Sequence, residues 1–248
     1  MTLLDHFEKF YDVKRAYGDF DLERCYRIRH RVFCRELNYF DADDYEREVD
    51  EYDPHSEHAL LLHKPSGQAV ACARIIGGDL KNPEKPLPYE EVFKDSLNRE
   101  MFDPDVFLPG KIIEFSRLAV LPEFRGQVKR DAALPENADL LESCKAPVVL
   151  LGLFSICVSL FVNSEAEYGA AMMEPRLAQL IKQSGFRFEE IGDPVKHCGW
   201  RSPFLFEREV FMRGINTQVS DLFREINARL CEDKANFLAG DETVRCYA

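Results

Sequence analysis

The chain has 248 residues, of which 46% are hydrophobic and 31% are charged, and its net charge at pH 7 is −12. This length and composition are typical of a soluble globular protein with one large or two small domains. The acidic balance argues against nucleic-acid binding and against docking on an anionic membrane, because both functions need a basic surface.

The first predicted element is an amphipathic helix over Asp21–Leu37, where apolar residues recur at steps of three and four. The acidic stretch Asp41–Asp53 follows and is typical of a surface loop. Two apolar runs, His58–His63 and Ala69–Ile76, are separated by a polar turn that contains proline and glycine. This pattern predicts a β-hairpin.

A short helix is predicted over Tyr89–Leu97, between proline-rich segments. Lys111–Leu121 is rich in β-branched and apolar residues and predicts a central strand, which Pro122 ends. The next segment, Gly126–Lys145, is polar and weakly patterned. We interpret it as an insertion that forms a mobile loop.

The segment Ala146–Ser164 contains no charged residue. It approaches the length of a membrane-spanning helix, but it has no flanking Lys/Arg cluster and Asn163 and Ser164 close it quickly. We therefore expect a helix that is buried against a sheet, with no stable membrane insertion, and keep a membrane anchor as the alternative.

The remaining chain alternates between short strands and helices, with a proline opening one helix and a glycine closing it. The predicted elements are a strand at Tyr168–Met173, a helix from Pro175 to Gly185, strands at Phe186–Ile191 and Phe204–Phe211, and a helix at Val219–Cys231. The order predicts a mixed α/β fold with one main sheet, and we assign residues 1–248 to a single domain.

Several charged residues are poorly explained by a simple surface or core role. Arg117 lies in the middle of the apolar run Ile112–Val120, where an unpaired charge would cost several kcal/mol. A set of charged, polar and aromatic residues recurs along the first half of the chain: Arg29, Phe33, Tyr39, Asp50, Asp53, Arg74, Glu114, Ser116 and Arg117. In order and spacing this set resembles the acyl-homoserine-lactone (autoinducer) synthases of the GNAT superfamily.

The second half of the chain resembles a sister family, the acyltransferases associated with PEP-CTERM/exosortase systems. The matching segments are Met172–Ala178, Gly185–Phe186, Ile191–Val195 and Gly199–Pro203. This second resemblance covers nearly the whole chain. Both resemblances imply a GNAT-like α+β fold, with a twisted, mostly antiparallel sheet, a splayed strand pair and helices on both faces. The implied reaction is transfer of a fatty acyl group from a carrier thioester to the amine of an amino acid or similar small molecule.

That chemistry needs a proton acceptor for the amine and a donor for the oxyanion. Glu114 is the candidate base; the alternative is a structural ion pair with Arg117 or Arg74. Ser116 is the candidate oxyanion donor, or else simply a small strand residue.

The resemblance assigns the other residues of the set to the substrate pocket. It makes Phe33 and Tyr39 pocket walls rather than core aromatics, and Arg29 a substrate-side residue rather than a snorkelling surface arginine. Asp50 and Asp53 would pin the loop and the positive group of the substrate rather than being merely solvated. Arg74 would pair with these carboxylates, and Arg117 is assigned to the same pocket.

The thioester donor is expected to be acyl-phosphopantetheine, on acyl carrier protein or coenzyme A, with no tightly bound cofactor. Arg125, Lys129 and Arg130 form a compact basic cluster that would meet an acidic carrier protein, unless they belong to a solvated loop. A glycine-rich pyrophosphate cradle is not evident after Leu121.

The eight cysteines show neither a Cys-x-x-Cys pair nor zinc-ligand spacing, and the charged N-terminus does not resemble a secretory leader. We therefore expect free thiols, a cytoplasmic location and no metal site. The alternatives for function are an acyl-homoserine-lactone synthase that uses S-adenosylmethionine, and a non-catalytic acyl-binding module.

Overall fold

The computed structural model describes residues 1–77, 85–101, 104–108, 110–125 and 148–245. The helices in these ranges are α1 (Leu3–Phe10), α2 (Asp19–Arg29), α3 (Pro88–Val92), α4 (Val148–Val162), α5 (Pro175–Gln183), α6 (Arg208–Phe211) and α7 (Thr217–Arg245). The strands are β1 (Tyr11–Arg15), β2 (Ser56–His63), β3 (Gln68–Gly77), β4 (Ile112–Val120), β5 (Tyr168–Met173), β6 (Glu189–Glu190), β7 (Val195–Lys196) and β8 (Trp200–Glu207). The predicted insertion loop over 126–145 lies outside the described residues.

The strands form one sheet in the order β1-β2-β3-β4-β5-β8-β6, and β7 pairs with β8 beside this path. All pairs are antiparallel except β4 with β5. The predicted hairpin is confirmed, since β2 and β3 pair antiparallel across a short turn. The mixed α/β, mostly antiparallel class is confirmed as well.

The parallel strands β4 and β5 separate part of the way along their length. Their pairing runs from Ile112 with Tyr168 to Phe115 with Ala171 and stops there, although both strands continue. The predicted splay is therefore confirmed. Backbone groups beyond this point lose their sheet partner, which opens a gap in the middle of the fold.

The two faces of the sheet carry different side chains because successive residues of a strand point to opposite sides. Phe115 of β4 points toward α4, where its ring contacts those of Phe154 and Phe161. The opposite face carries Arg74 and Glu114, and α2 and the segment after it cover that face. Helices therefore lie on both sides of the sheet, as predicted.

The apolar segment forms α4, which is buried almost all round, as expected for a helix packed on a sheet. At 15 residues it is about 22 Å long, which is shorter than a bilayer core. None of the helices in the described ranges combines the length and the hydropathy that a membrane crossing requires.

Several predicted boundaries differ from the structure. The first predicted helix is α2, which continues from His30 to Glu36 as a π-helix, a local widening that is frequent at functional sites. The strand predicted over Phe204–Phe211 is wrong in its second half, where residues 208–211 form α6. The last helix extends to Arg245, well beyond Cys231.

Other elements were missed or overestimated. The sequence pattern gave no element before Asp21, where the structure has α1 and β1. A capping box starts α1: the Thr2 hydroxyl accepts from the Asp5 N–H at 3.0 Å, and the Asp5 carboxylate accepts from the Thr2 N–H at 2.8 Å. The helix predicted over Tyr89–Leu97 is only α3, and the strand predicted over Phe186–Ile191 is reduced to β6.

Replacing Phe206 by alanine tests the core between β8 and α4. Its fully buried ring lies 5.0 Å, centroid to centroid, from the rings of Phe115, Phe188 and Phe211. We expect F206A to lower the free energy of unfolding by about 3–5 kcal/mol, because the lost contacts leave a cavity. Urea denaturation followed by circular dichroism measures this change.

The matched control is Phe237→Ala, since Phe237 is 46% exposed and stacks on Tyr17 alone among the described aromatic residues. It should cost about 1 kcal/mol or less. Equal losses for the two variants would contradict the described core.

Candidate active site

A cavity of about 540 Å³ lies at the gap between β4 and β5. Glu114 and Ser116 from one face of β4 line it, and so does Phe115 from the other face. The cavity therefore passes through the sheet. Most of its lining is apolar, and the N-terminal half of α4 contributes Val149, Leu150 and Phe154.

Glu114 is the fully buried carboxyl group of this cavity. One oxygen, Oε2, accepts a hydrogen bond from the Tyr89 N–H at 2.9 Å. The other, Oε1, has no hydrogen-bond partner within the described residues. Burial raises the pKa of Glu114 to about 8 because desolvation disfavours the charged form, although the Tyr89 N–H and the nearby arginines oppose this shift.

The structural alternative for Glu114, an ion pair with Arg74 or Arg117, does not form in the described part of the chain, since the ion pairs of both arginines are with other acids. An unpaired buried carboxyl with a pKa near neutrality, at the wall of a cavity, is suited to exchange a proton with a bound ligand.

Arg117 lies on a β-bulge in the wall of the cavity. The β3–β4 register passes from Cys72 with Ala119 to Arg74 with Ser116, so that β4 carries one extra residue. At this point Arg117 has a φ of +53°, a conformation that non-glycine residues adopt at a cost of about 1–3 kcal/mol. The bulge turns the Arg117 side chain toward the loop that follows α2.

Three arginines and three acidic residues form a closed ring of ion pairs beside the cavity. The charges alternate in sign around the ring, in the order Glu48, Arg29, Asp53, Arg74, Asp50 and Arg117. The ring has no net charge. Each ion therefore has two neighbours of opposite sign, which compensates for its removal from water.

The pairs on the buried side of the ring are bidentate or shared. Arg29 binds both oxygens of Asp53, at 2.6 and 3.1 Å. Arg74 binds both oxygens of Asp50, at 2.6 and 2.9 Å, and reaches Asp53 at 2.7 Å. Such fork-like pairs fix the direction of both side chains.

Arg117 closes the ring on the cavity side, with Nη2 at 3.0 Å from Glu48 and 2.8 Å from Asp50. Burial of Asp50 favours its neutral form, but hydrogen bonds and charge from Arg74 outweigh this effect and lower the pKa of Asp50 to about 2. The three acids come from the segment after the π-helix, so the ring fastens that segment to β3 and β4.

The structure brings some of the predicted site residues to the cavity and others to the ring. The cavity is lined by Phe33, Tyr39, Glu114, Ser116, Arg117 and Arg125. Arg29, Asp50, Asp53 and Arg74 belong to the ring and do not line the cavity. The predicted pairing of Arg74 with both aspartates is observed.

Ser116 and Arg125 occupy different parts of the cavity wall. The Ser116 hydroxyl oxygen accepts from Arg74 at 3.2 Å, which leaves its O–H able to donate. Arg125 donates to the Val120 carbonyl at 2.9 Å and to Glu36 at 2.7 Å. Lys129 and Arg130, the other members of the predicted basic cluster, lie outside the described residues.

Sequence reasoning missed Glu48, the third acid of the ring. Its signal was a charge balance: once Glu114 is assigned as the base, the three arginines of the site face only two aspartates, which leaves one cation without an acid. His197, Cys198 and Arg201 were not predicted as site residues, although they line the cavity from the β7–β8 turn and from β8. Arg201 lies in the segment Gly199–Pro203 that carries the second resemblance, which gave it no role, and nothing in the local sequence pattern marks His197 or Cys198.

The described residues include no group of three or more His, Cys, Asp or Glu side chains arranged to hold a metal ion.

Residues 28–133 match the family model for the acetyltransferase (GNAT) domain. No curated protein sequence matches the chain. Solved structures are similar to this chain over a longer part of its length than the family model is. The acyl-homoserine-lactone synthase LasI is 16% identical, with a TM-score of 0.56 over 84% of this chain and 96% of LasI.

Two further structures are similar over most of their length. BjaI, a CoA-dependent acyl-homoserine-lactone synthase solved with SAM and isopentyl-CoA, is 19% identical, with a TM-score of 0.57 over 92% of this chain and 87% of BjaI. FeeM, an N-acyl amino acid synthase from uncultured soil microbes, is 12% identical, with a TM-score of 0.52 over 80% of this chain and 91% of FeeM.

These similarities establish the GNAT-like fold that the resemblance implied. Residues 28–133 therefore match a GNAT acetyltransferase domain, and the fold is GNAT-like over most of the chain.

Replacing Asp53 by asparagine tests the ring. The substitution leaves Arg29 and Arg74 each short of one acidic partner inside the protein, so we expect a loss of about 3–5 kcal/mol in the free energy of unfolding. Denaturant titration at pH 7 measures it. The control is Glu209→Gln, which removes an exposed partner of Arg213 at 3.9 Å and should change stability by less than about 0.5 kcal/mol.

The same ring predicts the response of the wild-type protein to acid. The pKa of Asp50 is lowered in the folded state, so its contribution to stability is present above pH 4 and is lost as the pH falls toward 2. D53N should show a weaker dependence in this range. A stability for D53N close to that of E209Q would contradict the ring.

Proposed function

We propose that the protein is an N-acyltransferase that moves a fatty acyl group from a phosphopantetheine thioester to the amine of an amino acid or similar small molecule. The observation that carries the proposal is the buried Glu114 carboxyl, with one free oxygen, on the wall of a cavity that passes through the sheet. A through-sheet cavity lets two substrates enter from different faces and meet at one carboxyl group.

The thioester would enter where β4 and β5 separate. In this proposal the free backbone edges hold the amide groups of the phosphopantetheine arm, and the apolar wall from α4 holds the acyl chain. An apolar wall excludes water, which protects the thioester from hydrolysis.

Glu114 would act as the general base. The amine nitrogen attacks the thioester carbonyl carbon, the amine proton passes to Glu114, and the carbon–sulfur bond breaks to release the thiolate. The thiolate takes this proton from Glu114 and leaves as the free thiol, which returns Glu114 to its ionised form. A base with a pKa of about 8 is well matched to this task, because it can both accept and return a proton near neutral pH.

Ser116 would stabilise the oxyanion of the tetrahedral intermediate. Its oxygen already accepts from Arg74, so that its own O–H is available to the cavity, and the Arg74 cation strengthens it as a donor. Phe33 and Tyr39 would form walls of the amine pocket. Arg29, Asp50, Asp53 and Arg74 would serve substrate binding by holding the segment that carries Tyr39.

The acyl donor would be acyl carrier protein or acyl-CoA, with no tightly bound cofactor. Arg125, with Lys129 and Arg130, is our candidate contact for the acidic surface of a carrier protein. We place the reaction in the cytoplasm, where such thioesters are made. The resemblance of the second half of the chain supports a role beside PEP-CTERM/exosortase systems.

The second candidate is acyl-homoserine-lactone synthesis from S-adenosylmethionine. LasI is named an acyl-homoserine-lactone synthase, and BjaI is named a CoA-dependent one and was solved with SAM and isopentyl-CoA. The first candidate corresponds to the activity named for FeeM. The product separates them: an open N-acyl amino acid supports the first candidate, and an N-acyl lactone with release of methylthioadenosine supports the second.

Replacing Glu114 by glutamine tests the proposal. Amines are offered with acyl-CoA or acyl carrier protein, thiol release is followed, and products are identified by mass spectrometry. We expect E114Q to lower kcat by about 100-fold or more, because a general base typically contributes that much. The control is Glu165→Gln, an exposed glutamate, which should keep full activity.

The pH dependence gives an independent measurement. Wild-type kcat should rise with pH and level off above about pH 8, since Glu114 must be ionised to accept the proton. The pKa of Glu114 is raised in the folded state, so its contribution to stability is greatest below about pH 4 and falls as the pH rises through 8. E114Q should lose both dependences; unchanged turnover and an unchanged profile would refute the assignment.

Replacing Ser116 by alanine tests the oxyanion donor. We expect kcat to fall by about 10- to 100-fold with little change in KM, because the hydroxyl acts only on the developing negative charge. Ser116→Thr keeps the hydroxyl and should retain more activity than the alanine variant. A normal kcat for S116A would make Ser116 a small strand residue only.

A further inference from the structure

We propose that Arg201 binds the carboxylate of the acceptor, so that the acceptor is an amino acid with a free carboxylate beside the amine that is acylated. The inference deepens the proposed function and rests on it. The inference rests on Arg201, which lines the cavity beside Tyr39 and His197 and has few polar partners within the described residues.

Arg201 lies on β8, and its side chain is 15% exposed. Its guanidinium carbon is 5.8 Å from the centre of the Tyr39 ring. Within the described residues its polar partners are both at Nη1: Glu174 at 2.7 Å and the Trp200 carbonyl at 3.5 Å. Nη2 and Nε have none there, and they form the edge of a guanidinium that binds a carboxylate through two parallel hydrogen bonds.

The partner of Arg201 is weakly held. The Glu174 side chain is 53% exposed, and an ion pair with so much contact with water contributes little. A carboxylate of a ligand that lies inside the cavity, away from water, can therefore replace Glu174 on Arg201.

The other two arginines of the cavity are more fully committed. Arg117 is bound to Glu48 and Asp50 in the ring, and Arg125 is bound to Glu36 and to a backbone carbonyl. Arg117 can engage a new anion only by breaking its pair with the buried Glu48, and Arg125, whose pair with Glu36 is exposed, lies at the end of the cavity assigned to the thioester arm, so Arg201 is the arginine left for the acceptor.

His197, at this end of the cavity, is influenced by two arginines. Burial lowers the pKa of His197, and Arg201 and Arg117 lower it further, which keeps its ring neutral. Glu114 adds little negative charge at neutral pH because its own pKa is raised. The Arg201 cation itself attracts a carboxylate and repels a plain alkylammonium ion.

The cavity also separates acceptor from donor. Arg125, Val120 and Phe124 line it where β4 ends, near the start of α4, which is the part assigned to the thioester arm. Tyr39, His197 and Arg201 come from other segments, and Tyr39 and Arg201 are in contact. This second group is therefore the acceptor subsite.

The first test measures binding and does not require turnover. The probes are N-lauroylglycine and N-lauroylglycinamide, which differ only in the carboxylate, titrated calorimetrically into the full chain. We expect the acid to bind about tenfold or more tightly than the amide, as is typical for a charge-assisted pair. Arg201→Gln should remove the preference, and Glu174→Gln should strengthen binding of the acid alone.

The control is Arg213→Gln, which removes an exposed arginine outside the cavity lining and should leave the preference unchanged. Equal binding of acid and amide by the wild-type protein, no binding of either, or an unchanged preference in R201Q would overturn the inference. The opposite signs expected for R201Q and E174Q exclude a general loss of folding as the cause.

Turnover separates this inference from the proposed function. Amino acids and their carboxamides are compared in the thiol-release assay, where R201Q should raise KM for the acid about tenfold with little change in kcat. Thiol release at equal rates with acids and amides would support the acyltransferase activity and contradict the carboxylate subsite. A carboxylate preference in binding without any acyl transfer would support the subsite and contradict the proposed reaction.

Discussion

The closed ring of six alternating charges is the constraint on which the rest of the site depends. The three arginines come from α2, β3 and β4, two of them (Arg29 and Arg74) buried, and three acids come from one loop, so the loop can take one position on the sheet without leaving an ion unpaired. Burying these ions is costly, and the alternating pairs offset that cost. The ring fixes the segment that carries Tyr39 and holds Arg117 on its strained bulge, which together shape one wall of the cavity.

A neutral ring also sets the electrostatics of the chemistry. Because its charges cancel, it leaves Glu114 in an environment where burial dominates and the carboxyl keeps its proton to a higher pH. A ring with an excess of arginine would instead have ionised Glu114 and tied it into an ion pair. The charged side chains of the ring pair with one another, and the Glu114 carboxyl remains available at the cavity. Neighbouring polar residues therefore serve structure and chemistry without competing.

Several structural elements were predicted correctly from the sequence because they depend on local physical preferences. The apolar α4, the β2–β3 hairpin and the central strand β4 follow from hydrophobic patterning and turn residues. Arg117 stood out because a charge in an apolar strand demands a partner. The second half of the strand predicted over Phe204–Phe211 was wrong because residues 208–211 form α6, a single turn of helix with apolar residues, which periodicity cannot distinguish from a strand of the same length. The sequence did not predict the π-helix or the bulge, since both arise from packing rather than from local conformational preference.

By itself the sequence determined the class of fold and which side chains required an unusual environment, since composition and spacing control burial and the burial of charge. The family resemblance also predicted that Glu114 and the three arginines belong to one site. Only the tertiary structure decided their separate roles: which acids pair with which arginines, that Glu48 completes the set, and that Glu114 has no ion-pair partner among the described residues. It alone brought Arg201 to the cavity, because strands far apart in the chain become neighbours through sheet register, which is set by long-range packing.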